Sequence, residues 1–168
     1  MWSWLKKASS LEFSSRDARF RIQVPSRVVA RLLRLCWCSG HVETGGILAG
    51  TYSAALDCAC VSRISGAPRD SSSGPTWFER GTSGLQAWLD HHWASRRERY
   101  LGEWHFHPGA APVPSPTDRH QLHTIARTPS YACPEPVLLI LGGDPAGRWE
   151  VSAHVFPRGR EAVALHRV

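Results

Sequence analysis

The stretch from Leu101 to Asp118 (LGEWHFHPGAAPVPSPTD) constrains this 168-residue chain more than any other. If residues 100–105 form a β-strand, alternation places His105 and His107 on one face, with their Cα atoms roughly 6.5 Å apart. A turn-rich loop follows, and Asp118 can return at its far side to offer a carboxylate oxygen. Two histidines and one carboxylate, with a fourth position open, are typical of a catalytic rather than a structural zinc site.

A hydrolytic zinc site also needs a base that takes a proton from the attacking water. Two glutamates qualify, and spacing alone does not choose between them. Glu43 precedes the pair Gly45-Gly46, whose small size would let a substrate backbone pass nearby. Glu103 lies two residues before His105, so strand alternation places it on the metal side.

The segment Ser115-Pro116-Thr117-Asp118 also predicts the start of a helix. Serine suits the N-cap, proline the first helical position, and S-x-x-D is a capping box. That role for Asp118 needs no metal, but it is compatible with one, because one carboxylate oxygen can bind an ion while the helix start fixes the side chain.

Strand and helix patterns alternate along the rest of the chain. Residues 65–84, rich in Gly, Pro and Ser, predict a long loop that is either a substrate-gripping flap or a disordered insertion. Gly40 is expected to end the first helix. Strands are predicted at 20–24, 45–52, 56–64, 100–105, 137–141 and 148–155, and helices at 27–38, 84–99 and from 115 onward.

This order predicts an α/β fold with a single mixed β-sheet flanked by helices. The length allows one domain, expected at residues 20–168, after an irregular N-terminal extension at 1–19 in which Trp2 and Trp4 are possible packing anchors. No apolar run approaches the roughly 20 residues of a membrane span, and no signal peptide precedes the fold, so a soluble, cytoplasmic protein is expected.

Charge bears on whether the protein binds nucleic acid, and the cysteine content bears on whether it contains a second zinc site or disulfide bonds. The net charge of +6 arises mainly from dispersed arginines, without a dense basic run between stacking aromatics, so nucleic-acid binding has little support. The cysteines number five, and their C-x-C spacing and odd total argue against both a four-thiolate zinc site and a disulfide framework. Small buried thiols are the favoured interpretation.

Three segments together resemble the JAMM/MPN+ (JAB/MPN) metalloprotease family. Its pattern is an upstream glutamate, then H-x-H-P, six residues, and S-x-x-D. The six-residue gap is filled here by Gly109–Pro114, and the resemblance covers about residues 20–156. It implies the JAB/MPN (cytidine-deaminase-like) architecture. The matching segments are Glu43-Thr44-Gly45-Gly46, His105-Phe106-His107-Pro108 and Ser115-Pro116-Thr117-Asp118.

The resemblance also assigns roles. It implies that His105, His107 and Asp118 bind Zn²⁺, with water as the fourth ligand. Glu43 then becomes the general base, and Ser115 stabilises the tetrahedral oxyanion. Glu103 has no catalytic counterpart in the family, so it is expected to contact a metal ligand rather than the metal or the substrate. Phe106, where many members carry serine or threonine, is expected to point away from the metal.

The activity implied is hydrolysis of the peptide or isopeptide bond after the C-terminal residue of a ubiquitin-like protein, whose tail would lie along Gly45-Gly46 as an added strand. The run Tyr100–His105 is similar to bacterial JAB-domain deconjugating proteases of antiphage (CBASS-type) operons, encoded beside E1- and E2-like proteins. Two alternatives remain: a hydrolase that processes a small carrier-protein terminus or peptide, and a non-catalytic MPN scaffold, although no ligand is missing.

Overall fold

The computed structural model describes residues 8–168, so Trp2 and Trp4 lie outside the described residues. The chain forms ten strands and three α-helices within that range. The strands are β1 Leu11–Ser14, β2 Arg21–Val24, β3 Thr44–Tyr52, β4 Cys58–Ile64, β5 Ser72–Gly74, β6 Trp77–Glu79, β7 Arg99–Pro108, β8 Val137–Gly143, β9 Trp149–Val155 and β10 Val163–Arg167. The helices are α1 Ser26–Ser39, α2 Leu85–Arg96 and α3 Pro116–Arg127, and a 3-10 turn follows at Pro129–Tyr131.

Eight of the strands close into a barrel in the order β1-β10-β9-β8-β7-β3-β4-β2. The pairs β2–β4 and β7–β8 are parallel and the others are antiparallel. The α/β class and the mixed sheet are therefore as predicted. The expectation of one sheet flanked by helices is wrong in two respects, because the main sheet is closed and β5 and β6 form a separate hairpin.

The barrel closes through strands near both ends of the described chain. In β1, Leu11 and Phe13 are buried, and Phe13 pairs with Arg167 of β10. The prediction of an irregular extension over residues 1–19 is therefore wrong at Leu11–Ser14. With only four residues and two apolar positions, this strand carries too short an alternation to stand out in the sequence.

Strand β7 lies between two hydrophobic cores. Trp104 and Phe106 are buried in the core that α1 shares with the sheet, so Phe106 points away from the other face, as expected. His105 and His107 occupy that other face, toward the second core, where α2 and α3 pack. Gly40, at φ 66°, ends α1 as predicted.

A bulge at Gly102 sets which side chains share that face. Leu48 pairs with Gly102 and Ala49 with Tyr100, so Leu101 has no partner in the register. Gly102 has φ 148°, and a Cβ there would overlap the carbonyl of Val137. The bulge lets Tyr100 and Glu103 face the same side, and the Tyr100 hydroxyl donates to Glu103 Oε1 at 3.4 Å.

The segment predicted as a long loop contains the β5–β6 hairpin. Asp70 closes its base, accepting the backbone N–H of Thr82 at 3.0 Å and of Ser83 at 2.9 Å. The structure therefore has an ordered hairpin in this segment rather than a disordered insertion, and the role of a substrate-gripping flap stays a prediction. Within residues 8–168, no helix combines the length and apolar character needed to cross a membrane.

Candidate metal centre

The side chains of His105, His107 and Asp118 converge beside the end of β7. One donor atom from each lies within 4.8 Å of the others, and in the described part of the chain this is the only group of three or more His, Cys, Asp or Glu residues so arranged. Zinc bonds of about 2.0–2.1 Å place tetrahedral ligands roughly 3.3 Å apart, so the donors need only small adjustments. The residues present fit a cation such as Zn²⁺.

Asp118 is held by the start of α3. Its Oδ2 accepts the N–H of Ser115 at 2.7 Å, while its own N–H donates to Ser115 Oγ at 3.1 Å. This is the predicted capping box, and it leaves Oδ1 facing His105 Nδ1 at 2.9 Å. Burial opposes ionisation of Asp118, but its contacts with His105 and Ser115 lower its pKa to about 2. The carboxylate therefore stays ionised and available as a ligand.

His107 is oriented by the Pro-rich loop that follows it. Its Nδ1 lies 3.3 Å from the carbonyl oxygen of Ala111, which can only accept. The ring proton therefore belongs on Nδ1, and Nε2 is left with its lone pair free for a metal.

His105 lies between two carboxylates. Its Nδ1 faces Asp118, and its Nε2 lies 3.7 Å from Glu103 Oε2. Burial opposes a charge on the ring, but Asp118 and Glu103 raise the pKa of His105 to about 9. The metal-free site thus holds a proton on His105 that a bound cation must displace.

The structure separates the two candidate bases. Glu103 is fully buried, and Arg80 Nη2 lies 2.8 Å from its Oε1. Burial would raise the pKa of Glu103, but the attraction of His105 and Arg80 lowers it overall. Because the Glu103 carboxylate is buried, paired with Arg80 and held in its ionised form, it is not free to accept a proton from water.

Glu43 has the properties that Glu103 lacks. It is partly exposed just before β3, and its carboxylate makes no hydrogen bond to any residue in the described range, although its backbone N–H donates to the Gly74 carbonyl at 2.9 Å. Burial raises the pKa of its carboxyl group against the opposing influence of His107 and His105. A pKa raised toward neutrality suits a general base.

The space above Gly45 and Gly46 is not an open substrate path, contrary to the expectation from their size. Both glycines are buried. A Cβ on Gly45 would lie 2.7 Å from the Phe78 ring and 2.9 Å from that of His105, and one on Gly46 would lie 2.6 Å from Ser65 Oγ. These glycines therefore allow the hairpin and the neighbouring strands to pack closely.

An open cleft of about 550 Å³ lies instead between β6 and α3. One wall carries Trp77, which is half exposed, and Phe78, whose ring meets that of His105 edge-on with centroids 5.7 Å apart. The other wall is α3, from Thr117 onward, and Thr117 is the neighbour of Asp118. The cleft is thus lined by neighbours of His105 and Asp118, but by none of the three candidate ligands.

Two members of this site were not identified from the sequence. Arg80 lies in the Gly-rich segment after β6, 23 positions before its partner Glu103. Gln121 lies one turn into α3 and donates to Glu103 Oε2 at 3.0 Å. No motif marks either residue, and only the fold brings them to Glu103.

The five cysteines do not form a second metal site. All are free thiols; Cys36, Cys58 and Cys133 are buried, Cys60 is partly buried and Cys38 is exposed. Burial raises the pKa of Cys133 to about 11. The interpretation as small buried thiols thus holds for three of the five.

The family profile described as prokaryotic homologs of the JAB domain matches residues 25–153. The chain belongs to this family. It is 42% identical over 156 residues to the CD-NTase/cGAS isopeptidase of Enterobacter hormaechei subsp. hoffmannii, covering 93% of this chain and 86% of that protein. It is 32% identical over 150 residues to a probable metalloprotease of Sinorhizobium fredii, covering 88% and 90%.

A solved structure supports the fold independently. The solution structure of a protein from Desulfitobacterium hafniense matches with a TM-score of 0.57 at 16% identity, over 84% of this chain and 86% of that one. With the family profile and the two relatives, the prediction of a JAMM-type hydrolase is confirmed.

Proposed function

We propose that the protein is a zinc-dependent isopeptidase that hydrolyses the bond after the C-terminal residue of a ubiquitin-like protein or of a protein conjugate. The observation that carries this proposal is the convergence of His105, His107 and Asp118 within 4.8 Å, with the unbonded carboxylate of Glu43 beside them. The similarity to a protein named CD-NTase/cGAS isopeptidase supports the substrate class.

In the proposed mechanism, His105, His107 and Asp118 would hold the metal, with His105 Nδ1, His107 Nε2 and Asp118 Oδ1 as the available donor atoms. When bound, zinc supplies Lewis acidity, which polarises a substrate carbonyl and lowers the pKa of a coordinated water to about 7. The protein contributes the positions of these donors, which β7 and the capping box of α3 fix before substrate arrives.

Glu43 and Ser115 perform the remaining steps. Glu43 takes the proton from the attacking water and delivers it to the leaving amine. Ser115 Oγ accepts from the N–H of Asp118, so its own O–H remains a donor. We assign that O–H to the oxyanion that develops on the substrate carbonyl.

The substrate tail is assigned to the cleft between β6 and α3. Trp77 offers an exposed aromatic surface there, and an extended tail in the cleft would reach the three ligands past Phe78. The proposed setting is a cytoplasmic antiphage conjugation pathway, in which E1- and E2-like proteins attach the partner that this protein releases.

The test compares wild type with Glu43→Gln on a conjugate made by the cognate E1- and E2-like proteins. The variant should retain one zinc per chain and lose at least about 100-fold in kcat, because it cannot carry the proton. Cleavage by Glu43→Gln at the wild-type rate would overturn the mechanism. Glu12→Gln, the same change at an exposed position of β1, is the matched control and should cleave normally.

The same assay separates the alternatives. Cleavage of short glycine-ended peptides without cleavage of protein conjugates would indicate a processing hydrolase. Absence of bound metal after zinc reconstitution would indicate a scaffold. The complete donor set favours the enzyme over the scaffold.

A further inference from the structure

We infer that Glu103, anchored by Arg80, is a positioning residue that fixes the ring of His105 and determines which of its nitrogens binds the metal. The inference rests on the proposed function only in taking His105 as a metal ligand. It concerns a fully buried carboxylate that faces His105 and would act through it.

The first observation is a buried ion pair. Arg80 Nε and Nη2 both donate to Glu103 Oε1, at 3.0 and 2.8 Å. The Arg80 side chain is only 6% exposed and that of Glu103 is not exposed at all. A buried pair of this kind contributes little net stability compared with apolar packing, which makes a role beyond stability worth testing.

The second observation is the orientation of the other oxygen. Glu103 Oε2 accepts from Gln121 Nε2 at 3.0 Å and faces His105 Nε2 at 3.7 Å. In the described part of the chain, that ring nitrogen is the only buried side-chain N or O atom without a hydrogen-bond partner. Glu103 is therefore the acceptor placed to receive a proton held there.

These two observations bear on the tautomer that a bound metal would select. In the metal-free protein, His105 Nδ1 lies 2.9 Å from Asp118 Oδ1, which can only accept, so Nδ1 carries a proton. A cation bound between Nδ1 and Asp118 would replace that proton, and the proton that remains on Nε2 would face Glu103. A carboxylate behind a ligating histidine orients the ring and raises its basicity, and loss of such a partner typically weakens metal binding about 10- to 100-fold.

The ion pair also joins the site to the hairpin. Arg80 directly follows β6, whose Phe78 ring covers His105. Arg80 Nη1 also donates to the Gly81 carbonyl at 2.9 Å, which fixes the guanidinium at the end of the hairpin. The hairpin that forms one wall of the cleft is thus anchored to the carboxylate that orients the metal ligand.

The chain supplies a matched control for this arrangement. Glu98 is also buried, pairs with Arg63 at 2.6 Å and faces His92 Nδ1 at 3.8 Å. This second Arg–Glu–His group contains none of the candidate metal ligands. Glu98→Gln therefore perturbs a similar Arg–Glu–His group, with a buried glutamate but a partly exposed arginine, and leaves the surroundings of His105 unchanged.

The experiment measures zinc affinity by chelator competition, and the His105 tautomer by long-range ¹H–¹⁵N NMR of the zinc-loaded protein. In Glu103→Gln, the amide oxygen is expected to turn to Arg80 and the NH₂ to His105, which removes the acceptor. Zinc affinity should fall about 10- to 100-fold, and the Nε2–H signal should be lost. Glu98→Gln should keep both at wild-type values, and Glu103→Asp should recover part of the affinity.

If Glu103→Gln alone does not fold, Arg80→Met with Glu103→Gln removes the charge pair together and should show the same loss of affinity. Wild-type zinc affinity and an unchanged His105 tautomer in either variant would overturn the inference. A wild-type protein that binds zinc with this tautomer but cleaves no conjugate would instead contradict the proposed function and leave the inference standing.

Discussion

The carboxylate of Asp118 lies 2.9 Å from Nδ1 of His105 and at the same time accepts the backbone N–H of Ser115 at 2.7 Å. One side chain therefore joins the end of a barrel strand to the beginning of a helix. This arrangement makes the donor set depend on the packing of α3 against β7 as well as on the identity of the ligands.

Asp118→Asn should separate metal binding from helix capping. Asparagine can still accept the N–H of Ser115, so α3 should remain capped, but the charged ligand is lost. Zinc affinity should fall by more than the roughly 10- to 100-fold typical of losing an outer partner. Elemental analysis and chelator competition measure this.

Ser115→Ala is the matched control for that variant. It should cost about 1 kcal/mol of unfolding free energy through the lost cap, yet keep one zinc per chain. Zinc loss in Ser115→Ala as large as in Asp118→Asn would show that the capped helix, rather than the ligand, determines metal binding.

The metal-free protein should lose stability as the pH rises. The pKa of His105 is about 9 in the folded protein, against an ordinary value of 6.5 for a histidine in an unfolded chain. Because the folded value is higher, the stabilisation is complete below about pH 6.5 and disappears as the pH rises through about 9. The expected loss is about 1–3 kcal/mol, measured by urea unfolding in EDTA at about pH 6 and about pH 9.5.

His105→Gln, equally metal-free, lacks the titrating ring and should show a smaller difference between those two pH values. Equal losses in the variant and the wild type would assign the pH dependence to other groups.

Trp77→Ala should weaken substrate binding more than the chemical step. Trp77 is half exposed at the cleft, whereas its neighbour Phe78 supplies the ring that meets His105. Loss of the indole should therefore raise KM several-fold and leave kcat nearly unchanged. Trp93→Ala changes an exposed tryptophan on α2 outside this cleft and should leave KM unaltered. A fall in kcat alone for Trp77→Ala would contradict the assignment of the cleft.

Gly102→Ala should be strongly destabilising. The position combines φ 148° with a Cβ that would overlap the Val137 carbonyl, so β7 and β8 would have to separate. A loss of more than about 3 kcal/mol is expected from strain and steric overlap together. Gly66→Ala places its Cβ 3.7 Å from Leu35, an ordinary contact, and should be nearly neutral. Thermal unfolding of both variants and the wild type measures the difference.

The sequence predicted the parts of the site that depend on local spacing. Alternation along β7 placed His105, His107 and Glu103 on one face, and the S-x-x-D pattern located the start of α3 at Ser115. The choice of Glu43 over Glu103 came from resemblance. The structure supports it with a physical reason, since Arg80 engages Glu103 and leaves Glu43 unbonded.

Long-range features could not be read in the same way. The closure of the barrel depends on pairing between two short strands far apart in the chain, and neither has a strong pattern of its own. The burial of Gly45 beneath Phe78 depends on the path of the hairpin, which small residues permit but do not specify. For the same reason, Arg80 and Gln121 could be found only in the folded chain.

The pairing of Phe13 with Arg167 has a consequence for biosynthesis. These partners are far apart in the sequence, so pairing them closes a long loop. The conformational entropy of the intervening residues must be lost before the β1–β10 contacts can stabilise the fold. Strand β10 is synthesised after β7 and α3, so the strands and helix that carry the candidate ligands exist before their barrel can close. Until β10 pairs with β1, the edge of β1 that receives it stays unpaired and open to pairing with another chain.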